Sequence, residues 1–142
     1  MYSAYTGVAL SNAALVANDA NTANIDITVT PVTPAPGVSA PASQTGAAVP
    51  FTLTWTGTPT TVGTYTYTVL LDDGTTTPSF TVTINVTNPA PTLVPATGSG
   101  FNASRVYAAF TNVALSNASL VANDTNDPTV NITVTPVSPA PP

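Results

Sequence analysis

The chain contains no cysteine, lysine, histidine or glutamate, and its only basic side chain is Arg105. Without cysteine there are no disulfides, and without lysine there are no Lys–Asn isopeptide staples, so toughness must come from packing, repetition and intermolecular pairing. The usual general bases and activators of nucleophiles are missing too, so no enzyme is expected. Charged residues make up 5% of the sequence, against roughly 25% in ordinary soluble domains. A net charge of −5 with a single cation excludes nucleic acid as a partner, since phosphate binding needs several Lys or Arg side chains. It also disfavours an anionic membrane surface, and no apolar run approaches the roughly 18–20 residues that span a bilayer. Met1 runs directly into repeat sequence, so no signal peptide is expected and the chain reads as a mature form or an excerpt. The surface is left to Thr, Ser, Asn, Ala and Pro. Such a surface does not keep molecules apart by charge, which points to association or to a glycan coat.

What is present is a repeat. Tyr2–Pro36 (YSAYTGVALSNAALVANDANTANIDITVTPVTPAP) returns without a gap at Tyr107–Pro141 (YAAFTNVALSNASLVANDTNDPTVNITVTPVSPAP), 105 positions later, with 24 of 35 positions identical. A period of that length is one whole immunoglobulin-sized β domain, so the expectation is a tandem array. The second copy stops about a third of the way through its period. Either the chain continues, or this piece is completed by another molecule. The expected organisation is a sandwich repeat over 1–100, with a proline-rich crossover at 31–50, and the start of a second repeat over 101–142.

Alternation places the strands. Thr6–Leu10 and Ala14–Ala17 read as short paired or kinked edge strands, with a helix over Ala13–Ala17 as the competing reading until Asn18-Asp19 cuts it short. Ile25, Ile27 and Val29 alternate with Asp26, Thr28 and Thr30 as a half-buried strand. Pro31–Pro50 carries five prolines and reads as a polyproline-like crossover, because proline lacks the ladder donor of a central strand. Phe51, Leu53 and Trp55 form the next inward face. Tyr65, Tyr67, Val69 and Leu71 follow, then the turn Asp72-Asp73-Gly74, then Phe80, Val82, Ile84 and Val86, which closes a long hairpin. Asn88–Gly100 is the connector into the second copy. Threonine on every outward face suits β propensity. The expected fold class is all-β, a sandwich.

Gly57–Val86 (GTPTTVGTYTYTVLLDDGTTTPSFTVTINV) carries a Gly57-Thr58-Pro59 turn, a Gly63-Thr64-Tyr65 strand start and a closing Phe80-Thr81-Val82-Thr83 strand. In these features it resembles the immunoglobulin-like repeats of secreted bacterial and archaeal surface proteins. The likeness covers about thirty residues; LTWT at Leu53–Thr56 and the proline-rich insert depart from the family pattern. It implies an immunoglobulin-like β-sandwich in an extracellular setting, a spacer or adhesion module with no catalytic residues to carry over.

Candidate sites follow from residue type. Asp19 with Asn18 and Asn21, and Asp124 with Asn123 and Asn126, offer oxygen ligands for calcium at a loop, and Asp72 and Asp73 offer the same at the opposite end. No spacing matches a calcium loop, and Asn/Asp loops are routine turn chemistry. Acceptor sequons for N-glycosylation occur at Asn85, Asn102, Asn117, Asn123 and Asn131, with Asn85 and Asn131 on outward strand positions. Tyr2, Tyr5, Trp55, Tyr65 and Tyr67 are either a sugar-stacking platform or core, and the shared inward phase of Trp55, Tyr65 and Tyr67 favours core. The expected function is a structural subunit or segment of an extracellular filament, pilus-like fibre or stalk, whose partners are identical copies and glycans. Its repeats would be locked by strand complementation, with Ile27 and Val29, or Ile132 and Val134, as buried anchors. An adhesin or carbohydrate-binding module on a repeat stalk is the alternative.

Overall fold

The computed structural model describes Met1–Thr135, and among these residues every regular element is a β-strand. The chain divides into two compact units, Met1–Asn88 and Pro89–Pro142. In the first, a five-stranded sheet runs in the order β1 (Tyr2–Tyr5), β9 (Ser79–Thr87), β8 (Gly63–Asp72), β3 (Asn24–Thr33), β5 (Gln44–Ala48). All its pairings are antiparallel except β1 with β9, where Tyr2 to Tyr5 lie beside Ile84 to Thr87 in parallel. Two ribbons complete the unit: β2 (Ala14–Ala17) with β6 (Phe51–Thr54), and β4 (Val38–Ser39) with β7 (Thr56–Gly57).

Period-two alternation builds the core, since every second side chain of a strand points to one face. Ile25 and Ile27 of β3, Tyr65, Tyr67 and Val69 of β8, and Ile84 and Val86 of β9 are buried in one cluster with Ala17 of β2, Leu53 of β6 and Trp55. Trp55 meets Tyr67 edge to face, ring centroids 5.9 Å apart, the arrangement that aromatic quadrupoles prefer. The Tyr67 hydroxyl accepts the Ala35 N–H at 3.1 Å and so keeps a buried donor satisfied.

The first half of the unit differs from the sequence expectation in two places. Ala14–Ala17 is a strand paired with β6, but the other short strand is Tyr2–Tyr5, paired with β9, and Thr6–Leu10 is a turn and irregular chain. Here the Gly7 N–H donates to the Pro59 carbonyl at 2.9 Å and the Leu10 N–H to the Gly57 carbonyl at 2.8 Å. The proline-rich stretch is not a bare crossover either, since β3 continues through Pro31 to Thr33 and the stretch also holds β4 and β5. The Val29 N–H points to the β5 side, where the Ser43 hydroxyl accepts it at 3.0 Å. Pro31, two residues on, turns its nitrogen to the same side, and there the pairing with β5 has already ended, because it spans only Asn24 to Ile27. No ladder donor is needed at that point.

In the second unit, β10 (Thr92–Pro95) pairs antiparallel with β11 (Leu120–Asn123), and Phe101 forms an isolated bridge to Tyr107.

Candidate functional site

The two copies of the repeat keep the same local turns, whereas their strands find different partners or none. In the first, the Tyr2 hydroxyl donates to the Ser11 carbonyl (2.6 Å) and accepts the Ser11 N–H (3.1 Å). In the second, Tyr107 does the same with Ser116, at 2.7 and 3.2 Å. Asn12 and Asn117 both take positive φ, 57° and 54°. Asp19 Oδ1 accepts the N–H groups of Asn21 and Thr22, and Asp124 Oδ1 accepts those of Asn126 and Asp127. These are local interactions, closed within a few residues, so they form wherever the sequence occurs. Strands need partners. Asn24–Thr33 is a ten-residue strand in the sheet, whereas the corresponding 129–135 has no regular structure.

The four anchor candidates separate on that line. Ile27 is 1% exposed, whereas its counterpart Ile132 is 65% exposed and Val134 is 85% exposed. Val29, half-buried, lies opposite Val69. β3 is hydrogen-bonded to β8 on one side and β5 on the other, so Ile132 and Val134 take the place of Ile27 and Val29 only by displacing a doubly paired strand. The last residues of the second copy, Pro136–Pro141, lie outside the described residues.

The calcium candidates are placed differently from the expectation. Asp72 and Asp73 are at the same end as Asp19: Asn18, Asp19 and Asp73 line one cleft of about 90 Å³ with Thr76 and Phe80. The β8–β9 hairpin folds its turn back beside the loop after β2, which residue spacing does not reveal. Each carboxylate is engaged locally. Asp72 accepts the Gly74 N–H, and Asp73 accepts those of Thr75 and Thr76. Among the described residues no cluster of three or more acidic or metal-ligating side chains occurs.

The N–H groups of Thr76 and Thr75 hold the Asp73 carboxyl below its ordinary pKa, and the Thr129 N–H, with the Thr129 hydroxyl, does the same for Asp127. A depressed folded-state pKa stabilises the turn above the unfolded value of about 3.9 and ceases to do so as pH falls through the folded value. Asp73→Asn, which keeps a neutral acceptor, is therefore expected to melt slightly below the parent at neutral pH. That gap should close below about pH 4, as thermal melts across the acid range would show.

Of the sequon asparagines, Asn102, Asn117, Asn123 and Asn131 are exposed. Asn85 is half-buried on β9 with β8 and β1 on either side, and it accepts from the Thr64 hydroxyl at 3.2 Å. Trp55, Tyr65 and Tyr67 are core residues, so they assemble no sugar-stacking platform.

One feature was not legible in the sequence. An apolar groove of about 500 Å³ opens between β2 and the first half of β9, with Trp55, Val69 and Leu71 in its walls and no charged side chain lining it. Among the described residues β2 pairs only with β6, and β1 covers β9 only from Ile84 onward, so both strands present an unpaired edge here. Leu15 lies opposite the buried Leu53 and thus faces inward, yet it is 49% exposed. Phe80 holds the expected inward phase and is 50% exposed.

No transmembrane-length apolar helix occurs among the described residues. Comparison with protein-family models, with curated proteins and with solved structures finds no match.

Proposed function

We propose that the chain is a structural subunit or segment of an extracellular filament or surface stalk, assembled from immunoglobulin-like sandwich domains. The observation that carries this reading is the contrast between two closely similar segments, identical at 24 of 35 positions. One buries Ile27 within a sheet, and the other keeps the same loops while leaving Ile132 in solvent. Apolar side chains left in solvent on such a segment make an interaction surface, because any chain that supplies neighbours for them gains free energy by covering them. The parallel closure of β1 on β9, with the ribbon of β2 and β6 contributing to the same core, supports the sandwich. A surface with 5% charged residues offers little electrostatic resistance to association. The mechanism is mechanical, with like domains joined end to end through strands, and identical copies are the partners.

Assembly of the full chain tests this. Sedimentation over a wide concentration range is expected to show species in multiples of 14.2 kDa, and electron microscopy of concentrated samples should show linear particles. A chain that stays monomeric at every concentration overturns the proposal.

A further inference from the structure

We infer that the groove between β2 and β9 is a socket for the strand Thr92–Pro95 of a second copy of this chain. The inference rests on the filament reading and names its joint.

The molecule itself shows what belongs beside β2. The second repeat carries the same sequence at Leu120–Asn123, and there the strand is paired antiparallel with Thr92–Pro95: Leu93 opposite Ala122, Val94 opposite Val121, Pro95 opposite Leu120. Shifting by the repeat spacing of 105 puts Leu93 opposite Ala17, Val94 opposite Val16 and Pro95 opposite Leu15. Cross-strand partners share a face. Leu15 and Ala17 lie opposite Leu53 and Phe51 on the inward side, so Leu93 and Pro95 would enter the groove while Val94 stays outside with Val16. The incoming strand would cover Leu15 and reach toward Phe80, the inward-phase side chains that are now half in solvent.

The exchange has a direction. Within its own unit, Thr92–Pro95 belongs to a two-stranded ribbon whose Leu93, Val94, Leu120 and Val121 are all exposed, and an isolated two-stranded ribbon is marginal in water. In the groove the same strand meets a preformed apolar wall. Neither strand nor socket carries a charged side chain, so no charged side chain has to be desolvated. The Trp55 indole N–H, buried without an acceptor, belongs to that wall. Strand and socket are different surfaces of the chain, so the contact is heterologous and propagates head to tail.

The chain has no native cysteine, so single cysteines report the joint directly. Full-length Val16→Cys and Val94→Cys chains, both altered at exposed outward positions, are mixed and oxidised. The expected result is a mixed disulfide dimer several-fold in excess of either homodimer, lost when Leu93→Asp is added to the Val94→Cys chain. Leu93→Asp in the parent chain should also remove the oligomers seen by sedimentation. Dimers in random proportion, with oligomers that survive Leu93→Asp, overturn the socket and leave the filament reading standing. Absence of oligomers in the parent overturns both. A Val16→Cys/Val94→Cys chain that cross-links only within itself overturns the assignment to a second copy.

Discussion

Replacing Ile27 with Ala destabilises the Met1–Asn88 unit by about 2–5 kcal/mol, the range for removing a fully buried aliphatic side chain, whereas the same replacement at Ile132 changes stability by less than about 0.5 kcal/mol, as at exposed sites. The two isoleucines sit in almost the same local sequence, so propensity and turn chemistry cancel in the comparison. What remains is environment. Ile27 lies on β3 opposite Leu71 of β8, with Gln44 of β5 on its other side, and belongs to the main core cluster. Truncating it leaves a cavity that sheet neighbours held on both sides refill poorly, and the cavity adds to the lost transfer free energy. Ile132 contributes no comparable contact. Denaturant titration followed by far-ultraviolet circular dichroism reads both units, and Trp55, the only tryptophan and a core residue of the first unit, reports that unit alone. Equal costs at the two positions would mean that the second copy is buried in solution, contrary to the structure. In assembled material the Ile132 variant becomes informative again, because a partner that covers the second copy would raise its cost toward that of Ile27.

The long hairpin was legible because its pattern is regular. Tyr65, Tyr67 and Val69 against Ile84 and Val86 alternate without interruption, and the structure places all five in the core. Ile25 and Ile27 were legible for the same reason. Tyr2–Tyr5 was not, because its strand exists by virtue of a parallel partner more than seventy residues away, and nothing in YSAY announces it. Pro31 misled because the prohibition on proline concerns one side of a strand, and which side is open depends on where β5 stops. The loops were readable one by one but not in relation: Asp19 and Asp73 share a cleft only because of how β8 and β9 return. The groove could not be seen at all from composition. Leu15 and Phe80 have the phase of core residues, and that they remain exposed is known only once every neighbouring strand has been placed. The repeat, by contrast, was plain in the sequence, and it is the repeat that gives the groove its occupant.

Gly57→Ala should be among the most damaging single-residue changes outside the hydrophobic core. Gly57 and Gly37 have φ of 111° and 81°, values that cost an L-residue about 1–2 kcal/mol. At this place the chain also crosses itself. β4 and β7 pair through Val38 with Gly57 and Ser39 with Thr56, the Thr58 N–H donates to the Gly37 carbonyl at 3.0 Å, and the Thr60 N–H donates to the Pro36 carbonyl at 3.0 Å. A Cβ on Gly57 would stand 2.3 Å from the Gly37 carbonyl oxygen, and one on Gly37 would stand 2.2 Å from the Thr58 oxygen. Both obstacles are backbone, which has no rotamer to yield, so the two segments must separate. Separation would disturb what the crossing supports. The Gly57 carbonyl accepts the Leu10 N–H, the Pro59 carbonyl accepts the Gly7 N–H, and the Trp55 N–H just before the crossing donates to Ala13. Gly46 is the internal control, with φ of 62° and no atom within 4 Å of where an added methyl would sit, so Gly46→Ala incurs only the backbone conformational cost of about 1–2 kcal/mol. Thermal unfolding of the three variants is expected to rank Gly46→Ala as mild and Gly37→Ala and Gly57→Ala as severe. The double Gly37→Ala/Gly57→Ala change should cost much less than the sum, since one separation relieves both clashes. If Gly57→Ala proves no worse than Gly46→Ala, the crossing is free to open, and the turn that carries Leu10 is then not held by it.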